Sequence, residues 1–179
     1  MGIEIERRFL VDGRNQKPWR EGNAISMIQH YLSSVIHENG NITWDDVVLI
    51  NSDEDLSTIK TWRIRKENDV YKLTGKGKRV GSVADEFEWE LARDVYNSLT
   101  IDELPSTQKT RYLWEGEDGM IWEIDEFEGY LSGLVIAEIE LENESQEFLI
   151  PKWIGLEVTN FKGWSNASLA RMIRDSLID

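Results

Sequence analysis

The 179-residue chain predicts an α+β protein built on an antiparallel β-barrel, with a charged interior and helices packed on the outside. Three observations carry that prediction. Charged residues recur two positions apart in successive strand-like segments, apolar residues fill the alternate positions, and turn residues separate the segments. A spacing of two on a strand sends both charges to one face and the residues between them to the other.

In chain order, IEIERRFLV (3–11) reads as the first strand, with Glu4 and Glu6 opposite Ile3 and Ile5. DGRNQKP (12–18) follows as a turn or loop that Pro18 breaks. Within 23–36, Ile28, His30 and Leu32 alternate with Gln29 and Tyr31, giving a second strand. Segment 37–57 is polar at both ends around the run VVLI and reads as a hairpin or excursion. Strands at 59–66 and 69–76, joined at Asn68 and Asp69, carry Arg63 with Arg65 and then Lys72 with Lys76. The link KGKRVGS leads to a strand at 84–91 with Glu86, Glu88 and Glu90. Val95 and Leu99 space a helix over 92–104, which Pro105 ends.

Three further strands, at 107–114, 120–127 and 134–142, carry Lys109 with Arg111, then Asp125, then Glu138, Glu140 and Glu142; Gly119 and Gly133 mark turns. Segment 143–155 is expected to begin with a short helix. Ser165 N-caps a last amphipathic helix over 165–178, with Leu169, Ile173 and Leu177 on one face. No linker or low-complexity stretch interrupts the chain, so residues 1–179 read as one domain.

Forty per cent of the residues are hydrophobic, and eight Trp and five Phe supply core material, so disorder is not expected. The absence of cysteine excludes disulfides and thiolate sites and fits a reducing cytoplasm. MGIEIERRF carries charge and no apolar h-region, and no run of about 18 apolar residues follows; neither a secretory signal nor a membrane span is expected. A net charge of −14 argues against broad nucleic-acid binding, but net charge does not describe a local site.

A single alternating strand usually turns its charges to water. Several together argue otherwise here. Glu4 with Glu6, and Glu138 with Glu140, hold like charges about 7 Å apart on one face, a cost that a cation or a basic side chain would relieve. The opposite faces are also bulky and apolar: Trp62 and Ile64, Phe87 and Trp89, Trp122 and Ile124. A barrel with a charged lumen and covered outer wall reconciles both faces. Its lumen would hold the acids Glu4, Glu6, Glu86, Glu88, Asp125, Glu138 and Glu140. The bases there would be Arg8, Arg63, Arg65, Lys76, Lys109 and Arg111. Those groups nearly cancel, so a polyanion bound there would need divalent cations beside it to keep the site near neutral.

Carboxylate ligands without Cys or a His cluster suit hard cations such as Mg²⁺ or Mn²⁺. Arg and Lys neutralise charge that develops on phosphoryl oxygens, and a remaining carboxylate can activate water. The chemistry expected is metal-assisted hydrolysis of a phosphoanhydride. His30 and His37 read as ordinary polar residues, the Trp residues as packing, and Glu90 and Glu142 as surface. Lys76, Lys78 and Arg79 read as a basic cluster in a solvated loop.

The ordered motifs resemble the CYTH superfamily, the triphosphate tunnel metalloenzymes. They are Glu4-Ile5-Glu6-Arg7-Arg8, Arg63-Ile64-Arg65, Leu73-Thr74-Gly75-Lys76, Glu86-Phe87-Glu88, Lys109-Thr110-Arg111, Trp122-Glu123-Ile124-Asp125 and Glu138-Ile139-Glu140. The resemblance implies an eight-stranded tunnel that takes a triphosphate with Mg²⁺ or Mn²⁺. It implies metal ligands at Glu4, Glu6, Asp125, Glu138 and Glu140. It implies a phosphate clamp of Arg8, Arg63, Arg65, Lys76, Lys109 and Arg111, and catalytic roles for Glu86, Glu88 and Arg8. Inorganic tripolyphosphate is the expected substrate. Alternatives on the same scaffold are thiamine triphosphate hydrolysis, a class IV-type adenylate cyclase, or a polyphosphate- or nucleotide-binding module without turnover; a homodimer is a possible assembly. The chain departs from the family pattern with Arg8 in a Lys position, Trp164 in a Tyr position, and a long segment 35–58.

Overall fold

Alternation sorts each long strand into a charged face and an apolar face, and the computed structural model, which describes residues 2–178, rolls those strands into a closed cylinder. The barrel strands are β1 (Gly2–Val11), β2 (Asn23–Leu32), β6 (Ile59–Glu67), β7 (Val70–Gly77), β8 (Val83–Glu90), β9 (Ser106–Glu115), β10 (Ile121–Phe127) and β11 (Val135–Glu140). Their order is β11-β10-β9-β2-β6-β7-β8-β1, and an antiparallel β1–β11 ladder joins the two ends. These eight strands are the expected antiparallel barrel. A short β12 (Ile154–Glu157) adds to β1 beyond it, where no separate strand was anticipated.

Turn chemistry fixes the register. Asn68 sits at φ 50° between β6 and β7, a left-handed conformation that asparagine tolerates. The ladder that follows sets Arg65 opposite Lys72 and Arg63 opposite Thr74. A slip of one residue would turn each of these side chains out of the lumen.

The outer wall has two covers. Segment 36–51 forms a separate sheet of β3 (Ile36–Glu38), β4 (Asn41–Trp44) and β5 (Val47–Asn51). Its Ile42 and Leu49, with Leu56, pack on Ile64, Leu73 and Phe87. The long segment noted in the sequence is therefore a lid over the β6–β8 wall. On the opposite side Trp19 joins Phe9, Trp122, Ile124 and Ile139, with Phe148 and Trp153 packed against them. Trp19 and Trp153 lie 4.9 Å apart. Removing one such buried Trp costs about 3–5 kcal/mol.

Helices contribute less to the cover than expected. The helix anticipated over 92–104 is only α1 (Arg93–Ser98), and 143–155 contains no helix; its aromatic residues cover the wall from a loop. The last helix, α2 (Asn166–Ser176), starts at Ser165, whose Oγ accepts from the Ser168 amide at 3.1 Å. Leu169 and Ala170 are buried, with Leu169 against Phe127 and Ile136. Along the expected apolar stripe Ile173 is half-buried and Leu177 is exposed. Asn166, at the first turn, is buried and faces the lumen. Among the described residues no helix is long and apolar enough to cross a membrane.

Candidate active site

One cluster of lumen charges is closed on itself. Register sets Arg111 on β9 opposite Asp125 on β10. Arg111 Nε and Nη2 donate to the two Asp125 oxygens at 2.7 and 2.8 Å, a fork that gives both strength and orientation. Arg111 also donates to Glu138 at 3.1 Å and to Glu123. Lys109 Nζ bonds Asp125 and reaches Asn166 Oδ1 at 3.3 Å. The side chains of Lys109 and Asp125 are fully enclosed. Burial pushes Lys109 down to about 8 despite its acidic neighbour. Burial alone would raise Asp125, but Arg111 and Lys109 outweigh it and hold the carboxyl below its ordinary range. Burial would likewise raise Glu138, and Arg8 and Arg111 instead hold it well below.

A second cluster is open. Glu6 and Glu140 are register partners on β1 and β11. Burial and then Glu138 push Glu6 up; burial and then Glu4 and Glu6 push Glu140 up. Glu140 has no ion pair or side-chain hydrogen bond among the described residues. Arg8 donates to Glu138 at 2.8 Å, to Glu6 at 2.9 Å and to the Trp164 carbonyl at 3.3 Å. Lys76 Nζ lies 2.8 Å from both Glu4 and Glu86. Across the lumen, Arg63 donates to Thr74 Oγ1 at 3.3 Å and stands beside the Tyr31 hydroxyl, with no carboxylate in ion-pair reach among the described residues. The Nε atoms of Arg63 and Arg65 are buried without an acceptor. Arg65 is otherwise tied to Glu67 at 2.6 Å and Glu88 at 3.1 Å, with Lys72 closing the group.

The space between these groups is a cavity of about 170 Å³. Six acids line it, Glu4, Glu6, Glu86, Glu123, Glu138 and Glu140, against the five bases Arg8, Arg63, Arg65, Lys76 and Arg111. Lys109, Asp125 and Glu88 were expected in the lumen, yet none of them lines this space. Lys109 and Asp125 sit beneath its floor, and Glu88 holds Arg65 and Lys72 to one side. A larger space of about 430 Å³ shares Arg8, Arg63, Lys76 and Asn166 with the cavity and is lined by no acidic residue.

As the side chains stand, no three carboxylate or imidazole groups among the described residues converge to chelate an ion. The cause is visible: Arg8, Lys76 and Arg79 are interposed between the acids. The donor set nevertheless fits a hard divalent cation. Glu4, Glu6 and Glu140 offer only carboxylate oxygens, and a cation would relieve the repulsion that raises Glu140.

The chain has relatives among known proteins. A CYTH domain family match covers residues 2–171. The chain belongs to the CYTH domain family. An inorganic triphosphatase of Acetivibrio thermocellus is 36% identical over 173 residues, 96% of this chain and 95% of that protein. One from Nitrosomonas europaea is 31% identical, over 95% of this chain and 98% of that protein. A crystal structure described as an inorganic triphosphatase aligns at a TM-score of 0.59 and 29% identity, covering 95% of each chain.

Three lumen residues of this CYTH chain escaped the sequence reading. Glu123 stands two positions before Asp125 and so shares its face; the same spacing rule finds it. Asn166 lies on a helix, where a period of two says nothing. Arg79, expected in a solvated loop, folds inward instead. Its guanidinium enters the site and meets Glu4 at 3.0 Å and Glu6 at 2.6 Å. No strand periodicity marks a loop residue that folds inward.

Proposed function

We propose that this protein hydrolyses inorganic tripolyphosphate with the help of Mg²⁺ or Mn²⁺. One observation supports this above the others: Arg63, with no carboxylate in ion-pair reach, and Glu140, with no cationic partner among the described residues, line the same small cavity. An anion rich in oxygen acceptors answers the first need and a divalent cation the second. The family relatives named inorganic triphosphatases agree with the anion of that pair.

Arg8, Arg63, Arg65, Lys76 and Arg111 hold the phosphate chain and neutralise the charge that gathers on its bridging and terminal oxygens. Arg8 stays protonated throughout, so it serves as a fixed charge and not as a proton donor. Glu4, Glu6 and Glu140 would hold the metal, which when bound polarises the phosphoryl group. Glu86, beside Lys76 in the cavity lining, orients the attacking water and accepts its proton. Lys109 and Asp125 act as a buried positioning pair that fixes the Arg111 fork, and Glu88 does the same for Arg65. Glu138, gripped by Arg8 and Arg111, ties the two clusters together.

The test is orthophosphate release from tripolyphosphate, thiamine triphosphate and ATP, each with Mg²⁺, Mn²⁺ or EDTA, beside Glu4→Gln. Release that is fastest with tripolyphosphate, stops in EDTA and falls by about 10²–10³ in the variant is expected. Release that survives EDTA, or formation of a cyclic nucleotide from ATP, would overturn the assignment.

A further inference from the structure

The β7–β8 loop carries a cation into the acidic side of the site. Arg79 Nη2 lies 2.6 Å from Glu6 Oε1 and 3.0 Å from Glu4 Oε2, while Nη1 donates to the Ser82 carbonyl at 2.9 Å. The loop is pinned beside β1 by the Glu6 amide, which donates to Ser82 O at 3.1 Å. Arg79 therefore spans the two carboxylates assigned above to the metal, and it uses oxygen atoms that the metal needs. Its side chain is a quarter exposed, at 26%, so solvent reaches it on the side away from Glu4 and Glu6.

Its alternative surroundings are one-sided. Arg79 lines the 430 Å³ vestibule together with Arg8, Lys60, Arg63, Lys76, Lys78 and Lys162, and no carboxylate is among the lining residues. A guanidinium released from Glu4 and Glu6 enters a space of like charge, which is unfavourable until an anion occupies it. Displacement by a cation and capture by a phosphate chain thus help one another.

We propose that Arg79 couples the two ligands: it stands in for the cation between Glu4 and Glu6 in the empty site, and it transfers to the phosphate chain when a divalent cation binds. This rests on the metal and phosphate assignments above. It adds a phosphate-binding residue borne by a loop, and a reason for the site to favour both ligands together over the metal alone. Reciprocity follows, since whatever the phosphate does for the metal the metal does for the phosphate.

The experiment uses Arg79→Gln in the full chain, with thermal unfolding to confirm that it folds. Mn²⁺ affinity is measured by calorimetry without substrate, and affinity for a methylene-bridged tripolyphosphate analogue is measured at saturating Mn²⁺. Removing the competitor is expected to tighten Mn²⁺ alone by at least about fivefold and to weaken the analogue by a similar factor, the low end of measured couplings between sites. Lys78→Gln removes the same charge from the same loop without touching Glu4 or Glu6 and is expected to leave Mn²⁺ affinity within about twofold. If either affinity of Arg79→Gln equals that of the parent, or if Lys78→Gln tightens Mn²⁺ as much, the coupling role is overturned. If the parent itself binds neither ligand, the fault lies with the assignment of the site and not with Arg79.

Discussion

On β9, β10 and β11, Lys109, Arg111, Asp125 and Glu138 each have a partner of opposite sign in place; elsewhere in the same lumen, Arg63 on β6 has no carboxylate partner and Glu140, at the end of β11, has no cationic one among the described residues. Both sets are charged residues at two-residue spacing on strands, and both face inward. The difference lies in what stands opposite. Arg111 meets Asp125 directly across a ladder, whereas Arg63 meets Thr74 and Glu140 meets Glu6. Arg111 is thereby fixed by the protein, whereas the half-buried Arg63 and the exposed Glu140 keep their charges available to a ligand.

That contrast can be broken by substitution. Asp125→Ala strands Lys109 and Arg111 in the closed cluster and is expected to cost about 3–5 kcal/mol of stability, read as a shift in the urea midpoint. A loss below about 1 kcal/mol would mean that the cluster is not structural. Arg63→Ala in the open cluster should do the reverse. Its unfolding midpoint stays close to that of the parent, while tripolyphosphate hydrolysis falls by about 10²–10³. Equal losses of stability and activity would erase the distinction between the clusters.

A finer test uses pH. Burial, Glu4 and Glu6 raise the Glu140 carboxyl above its ordinary value. The folded state therefore keeps a proton that the unfolded state has already lost, and stability falls as pH rises from about 4.5 through the folded value. Glu140→Gln is expected to be more stable than the parent by only a few tenths of a kcal/mol above that window, because the group is partly exposed and screened, and no different below it. The same variant should bind Mn²⁺ at least about tenfold more weakly. Unchanged Mn²⁺ affinity would remove Glu140 from the metal site.

Much of this architecture was legible in the sequence. Alternation in IEIERRFLV, TWRIRKE and IAEIELE sorts the faces correctly because a strand has a period of two and both faces here are buried. What alternation does not specify is register. Arg111 and Arg63 look alike in sequence, and only the ladder decides that one meets a carboxylate and the other a threonine. The hairpin or excursion expected over 37–57 is a three-stranded sheet, and its Ile42 and Leu49 become core only once Ile64 and Leu73 lie beneath them. The helix expected at 143–155 is absent, yet Phe148 and Trp153 still cover the wall, since covering an apolar surface requires bulk and not a particular backbone shape.

Closure of the barrel by the β1–β11 ladder has a consequence for traffic. A ring of eight strands with no free edge inside it cannot part sideways without breaking a whole ladder of hydrogen bonds, so whatever enters must travel along the axis, end first. Slender, unbranched ions can thread such a bore. A ligand with a broad head group can insert only its narrow tail and must leave the rest outside, so the cylinder acts as a gauge of molecular width before any charged group has made contact.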